Sequence, residues 1–205
     1  MKDMNGTKKL WGIIVALLVT VGGAWGQSGG NLLAKAQEAD WVQYVFNSQN
    51  ETTPMLSVKD QQRWRVVSAV EETGVRLDDY IMVAGSRTAG LGRIAPLDKP
   101  YEPVGDIALG AKIDVVSSTP DSLTVKGKTY ACTKIVRKVS RTADMTKGQT
   151  GWNGTSTIWV SPDIPVGGVV KIENRYELQL AEDAKPDKVV ETWLLTDFGF
   201  KSWKD

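Results

Sequence analysis

Between Gly168 and Leu180 the chain reads GVVKIENRYELQL, and residue type alternates with a period of two. Val170, Ile172, Tyr176, Leu178 and Leu180 share one parity, while Lys171, Glu173, Arg175, Glu177 and Gln179 take the other. Successive side chains of a strand point to opposite faces, so this pattern predicts a long antiparallel strand with one wet face and one face that needs a cover. Asn174 falls on the apolar parity, where it predicts a bend or bulge.

Weaker strand signals surround this one. Residues 40–49, 63–71, 74–85, 112–118, 122–125, 129–139, 156–161 and 188–195 are rich in β-branched and aromatic side chains. Turn signals separate them at Thr73-Gly74, Pro120-Asp121, Lys126-Gly127-Lys128 and Ala184-Lys185-Pro186-Asp187. The expected fold is mainly β: a curved antiparallel sheet, either a half-barrel or an open barrel-like meander, with at most one or two short helices. The clearest helical signal is NLLAKAQEAD, residues 31–40. Residues 86–110 and 140–156 read as long loops at the rim of the sheet, the second carrying Trp152 in a polar setting.

Lys8 and Lys9 precede an uncharged, mostly apolar run from Leu10 to Gly26 that ends in small residues. That order is a secretory signal peptide, with cleavage expected between Gly26 and Gln27. Retention as an anchor is the alternative, because the run approaches the roughly 20 residues that span a bilayer. Residues 27–205 then form a single β-rich domain, exported to the periplasm or the extracellular space and soluble after cleavage, with no stable membrane span. Three of the 25 basic and one of the 24 acidic residues leave with the signal, so 22 positive charges face 23 negative ones. Such a balance gives no electrostatic reason to expect a nucleic-acid or anionic-membrane partner.

The chain has no histidine and one cysteine, Cys132. Imidazole-dependent nucleophile pairs, proton shuttles and the usual thiolate and imidazole zinc sites are therefore excluded. Carboxylate, lysine or tyrosine chemistry survives, yet Glu71, Glu72, Asp78 and Asp79 read as solvated charges, and adjacent Asp78 and Asp79 face opposite ways on a strand. No catalytic residue, metal site or cofactor is implied. Cys132, inside an apolar strand pattern, reads as a buried small hydrophobe.

Residues 157–173, TIWVSPDIPVGGVVKIE, place two prolines and two glycines between strand signals. Gly167-Gly168 lacks the Gly-Lys-Ser/Thr and the following helix that a phosphate loop requires. The stretch is a corner, in which the prolines end one strand and the glycines free the start of the next.

Taken with YACTKIVRKV before it, STIWVSPDIPVGGVVKIENRYELQL resembles exported bacterial proteins of the lipoprotein-carrier-like class over about residues 129–180. The resemblance implies a half-barrel whose concave face holds an apolar ligand. Trp159, Val170, Ile172 and Tyr176 would line that face, and Pro165, Gly167 and Gly168 would shape its edge. The expected function is binding of an apolar or amphipathic ligand, lipid or lipoprotein-like. The alternative is an envelope interaction or structural module that meets a partner protein through its long loops and takes no small-molecule ligand. The carriers also pack helices across the half-barrel, and this chain offers one short candidate for that role.

Overall fold

A computed structural model describes residues 31–90, 92–98, 111–143, 150–179 and 185–204. The expected signal peptide, residue 91, residues 99–110 and 144–149 of the two rim loops, and Leu180 lie outside the described residues. Ten strands account for most of the remainder: β1 (Trp41–Asn50), β2 (Val58–Val70), β3 (Gly74–Val83), β4 (Ser86–Ala89), β5 (Arg93–Pro96), β6 (Lys112–Val125), β7 (Lys128–Arg141), β8 (Gly151–Val160), β9 (Val169–Gln179) and β10 (Asp187–Gly199). Among the described residues one short 3-10 turn, Pro54–Leu56, is the only helical element.

All pairings are antiparallel, and the strands form one open sheet in the order β4-β3-β2-β1-β10-β9-β8-β7-β6, with β5 paired beside β4 on the outer side of β3. The sheet is a meander in two arms joined at its centre by the first and last strands. Trp41 through Asn50 pair with Gly199 back to Val189, so the ends of the chain, rather than a local hairpin, close the middle of the sheet.

The sheet is strongly curved in the β6–β10 arm. On a flat sheet β6 and β10 would stand roughly 19 Å apart, at about 4.8 Å per strand. Instead Val125 and Tyr130 from the β6–β7 hairpin line a common cavity of about 100 Å³ with Leu195 and Phe198 of β10. The Lys128 ammonium also sits 5.4 Å from the centre of the Phe198 ring.

Register sorts the inner face into rows that cross the strands. Phe46, Trp193, Ile172, Ile158 and Ile135 form an apolar row on β1, β10, β9, β8 and β7. The next row is Ser48, Glu191, Asn174, Ser156 and Arg137, and all five are buried. Beyond it come Asn50, Val189, Tyr176, Gly154 and Val139. The main core lies on the apolar side of the polar row; a smaller cluster built on Val139 and Trp152 lies on the other.

Several local expectations are corrected. Residues 31–40 form turns rather than a helix, because Asn31 Oδ1 accepts from the Leu33 N–H and Asp40 Oδ2 from the Gln37 N–H, capping the backbone before a second turn can form. The rim segment 86–110 contains β4 and β5, which pair with β3. Residues 112–118 and 122–125 belong to one 14-residue strand, β6, since an edge strand tolerates Pro120. That edge carries Lys112, Asp114 and a register shift between Val115 and Ser117, features that blunt edge-to-edge pairing. Asn174 makes no bulge, for it pairs regularly with Glu191 and Ser156; the irregularity of β9 lies opposite Trp159 and Val160.

Candidate functional site

The Ser161–Gly168 corner is closed by the Ser161 N–H donating to the Gly168 carbonyl at 2.7 Å. Val166, Gly167 and Gly168 all have positive φ, and a Cβ on Gly168 would lie 2.8 Å from the Ser161 oxygen, so only glycine fits there. Ile164 and Val166 are buried and join the main core, as do Val170 and Ile172. Pro165, Gly167 and Gly168 are likewise buried. These residues of the expected site are therefore packed into the core wall.

Trp159 is buried and belongs to the same core cluster, although its register differs from that of the other site residues. It pairs with Lys134 and Lys171, on the parity opposite to Ile172 and Tyr176. The Lys134 and Lys171 ammoniums stand 5.4 and 5.1 Å from its ring centre, and its Nε1–H donates to Asp121 Oδ2 at 2.9 Å, tying the edge strand β6 to β8. Tyr176 is half-buried on the inner face, and its hydroxyl donates to Glu191 Oε1 at 2.7 Å.

That contact belongs to the buried polar row. Asn174, with no exposed surface, donates through Nδ2 to Glu191 Oε2 at 3.2 Å, while its Oδ1 has no hydrogen-bond partner among the described residues. Arg137, 2% exposed, donates to Ser156 Oγ at 3.1 Å. A carboxylate and a guanidinium are thus sunk into the inner face with two polar strand positions between them. Burial of this kind is costly unless each group is bonded, and it fixes register because a one-residue slip of any of these strands would turn its member of the row outward.

An open cleft lies at the other arm, with a volume of about 210 Å³. Tyr44, Arg63, Arg65, Asp79, Ile81 and Trp193 line it, and register places all six on the inner face: Tyr44 opposite Arg63, Arg63 opposite Ile81, Arg65 opposite Asp79, and Trp193 opposite Phe46. Arg63 lays its guanidinium 3.6 Å from the centre of the Phe46 ring and 4.6 Å from that of Trp193, and its Nε donates to Gln61 Oε1 at 2.7 Å. Arg65 grips Asp79 with two parallel bonds of 2.6 and 2.8 Å. The cleft therefore has an aromatic floor and a charged rim, a combination suited to a molecule with an apolar body and a polar end.

None of the cleft residues was singled out as a site by sequence reasoning, and Asp79, read there as a solvated charge, is in an ion pair. The available signal was the spacing of Arg63 and Arg65 around Trp64, which puts two guanidiniums on one face of a strand. Trp152 also moves: it lies on β8, 7% exposed, with its ring centre 6.2 Å from that of Tyr176, rather than in a flexible loop. Cys132 is buried, and that burial pushes its thiol pKa upward, keeping it protonated.

Among the described residues two carboxylates have depressed pKa values. Asp187 is held low by the Thr53 hydroxyl and the Thr52 N–H, which anchor the start of β10 to the segment after β1. Asp121 is held low first by the Trp159 indole. The stability each contributes is complete above the unfolded carboxylate value of about 3.9 and is lost as pH falls through the lower folded value. Wild-type melting temperature should fall more steeply below about pH 4 than that of Asp187→Asn. Parallel curves for the two proteins would remove Asp187 from the acid response.

Comparison of the chain with family models, curated proteins and solved structures found no match. Among the described residues no group of acidic and cysteine side chains is placed to hold a metal ion, and no helix is long and apolar enough to cross a membrane.

Proposed function

We propose that the protein is an exported, carrier-like module that binds an apolar or amphipathic ligand on the inner face of its curved sheet, in the manner of the lipoprotein-carrier-like half-barrels. The observation that carries this reading is the cleft beside Tyr44, Ile81 and Trp193, an aromatic-floored opening on the inner face of the sheet. Its size sets the scale of the ligand. A cavity of about 150 Å³ takes up benzene, so about 210 Å³ suits a single ring, a short acyl chain or the end of a longer one.

Native mass spectrometry of the gently purified protein, before and after organic extraction, tests the reading. An apolar mass released by extraction, or saturable uptake of an added fluorescent short-chain fatty acid, is the expected result. A clean apoprotein mass together with no uptake would overturn ligand binding and turn attention to the rim loops as the route to a protein partner.

A further inference from the structure

After β10 the chain forms a strap across the outer face of the strands whose inner face bears the cleft. The Lys201 N–H donates to Asp40 Oδ1 at 2.9 Å, and the Ser202 and Trp203 N–H groups both donate to the Ala39 carbonyl, at 3.0 and 3.1 Å. The Trp41 indole donates to Ser202 Oγ at 3.0 Å, and Arg87 donates to the Lys204 carbonyl at 3.4 Å. Chain ends are ordered only where they are tied down, and these bonds tie this one. Ala39 and Lys201, on the two sides of the clasp, both have positive φ, 65° and 46°. Residues other than glycine hold that conformation only where their surroundings over-determine it.

Trp203 connects the strap to the cleft. Its ring centre lies 5.9 Å from that of Trp41 and 5.5 Å from that of Tyr80, and the Arg87 guanidinium stands 4.3 Å from it and 5.5 Å from the Trp64 ring. Trp64 and Tyr80 are cross-strand partners on β2 and β3, and they alternate with Arg63, Arg65, Asp79 and Ile81, so their side chains take the outer face. Both residues nevertheless contribute to the lining of the cleft. The stretch of β2 and β3 that walls the cleft on one side is thus held by the strap on the other.

The geometry points to Trp203 as a positioning residue: seated against Tyr80 and Arg87, it fixes β2 and β3 from behind and couples the C-terminal strap to ligand binding in the cleft. The coupling rests on the ligand-binding reading above. Its sign is positive, because the opening of about 210 Å³ exists with the strap seated. Lifting the strap removes the Trp203 ring from Tyr80 and Arg87, and a ligand must then order the wall as it binds. Coupling of binding free energies is reciprocal, so a bound ligand holds the strap down by the same factor.

The test titrates the fluorescent short-chain fatty acid into the wild-type protein, Trp203→Ala and Trp203→Phe, and follows amide hydrogen exchange of the wild type with and without saturating probe. Trp203→Ala should bind the probe about fivefold or more weakly, the lower end of coupling between sites, and Trp203→Phe, which keeps a ring, should restore most of the loss. Saturating probe should slow exchange at the Ser202 and Trp203 amides by a similar factor. The Ser57 amide, which donates to the Pro54 carbonyl in the 3-10 turn at the other end of β1, should not change. That ligand-dependent protection separates a coupled strap from one that only stabilises the fold. Unchanged or tighter binding by Trp203→Ala, or strap amides that ignore the probe, would overturn the coupling and leave the ligand-binding reading standing. Failure of Trp203→Phe to recover binding would sink the assignment to the ring. A wild-type protein that takes up no probe would overturn both.

Discussion

Trp193→Ala should lower the unfolding free energy by about 3–5 kcal/mol, the range for removing a large buried aromatic side chain. The expectation comes from position as much as from size. Trp193 lies on β10, the strand that joins the two arms, and its ring meets Tyr44 at 6.0 Å and Phe46 at 4.8 Å between centres. It also supports Arg63, so the alanine variant removes the floor of the cleft and one of the two rings that hold the guanidinium. Trp193→Phe separates packing from hydrogen bonding. It retains most of the apolar surface and deletes an N–H that has no partner among the described residues, and it should cost less than about 1.5 kcal/mol. Urea unfolding of the three proteins, compared at constant m-value, reads these differences. An alanine variant within 1 kcal/mol of wild type, on the same scale, would mean that the two arms hold together without this ring.

The strand content of the protein was legible because its signal is local. Alternation in β9 is nearly complete, and a wet outer face writes charges onto every second position. The pairing of β1 with β10 was not legible, since residues some 150 positions apart meet through backbone groups that every residue carries. The cleft was hidden for the same reason. Tyr44, Arg63, Asp79 and Trp193 come from β1, β2, β3 and β10, and nothing in any one segment announces the other three. Asn174 illustrates the limit best. In sequence it interrupts an apolar stripe; once register is known it is one member of a transverse polar row with Glu191, Ser156 and Arg137. The placement of Trp152 failed for a related reason, because Gly151, Asn153, Gly154, Thr155 and Ser156 have the composition of a loop. Ser156 is there to face the polar row, and Gly154 is there because of what lies over it.

That glycine carries the second large prediction. A Cβ on Gly154 would fall on the Arg175 carbonyl oxygen and lie 2.5 Å from the Tyr176 Cα and 2.6 Å from its Cβ. Two of these atoms are backbone, and the third is the root of a side chain, so none can swing aside by changing rotamer. Relief requires β8 and β9 to move apart where they pair, in the middle of the curved arm. Gly154→Ala should therefore cost about 3 kcal/mol or more, at or above the upper end of ordinary overpacking. Gly127→Ala is the matched comparison: it lies in the β6–β7 turn with φ of 79° and nothing within 4 Å of a new Cβ, so its cost should be about 1 kcal/mol of backbone strain. The two variants also differ in what they disturb. Displacing β9 at Tyr176 pulls its hydroxyl from Glu191 and leaves a buried carboxylate with one fewer donor, whereas the hairpin turn touches none of that row. If Gly154→Ala matched Gly127→Ala in denaturant midpoint and slope, the close approach of β8 to Tyr176 would be wrong, and the register that assembles the polar row would have to be redrawn.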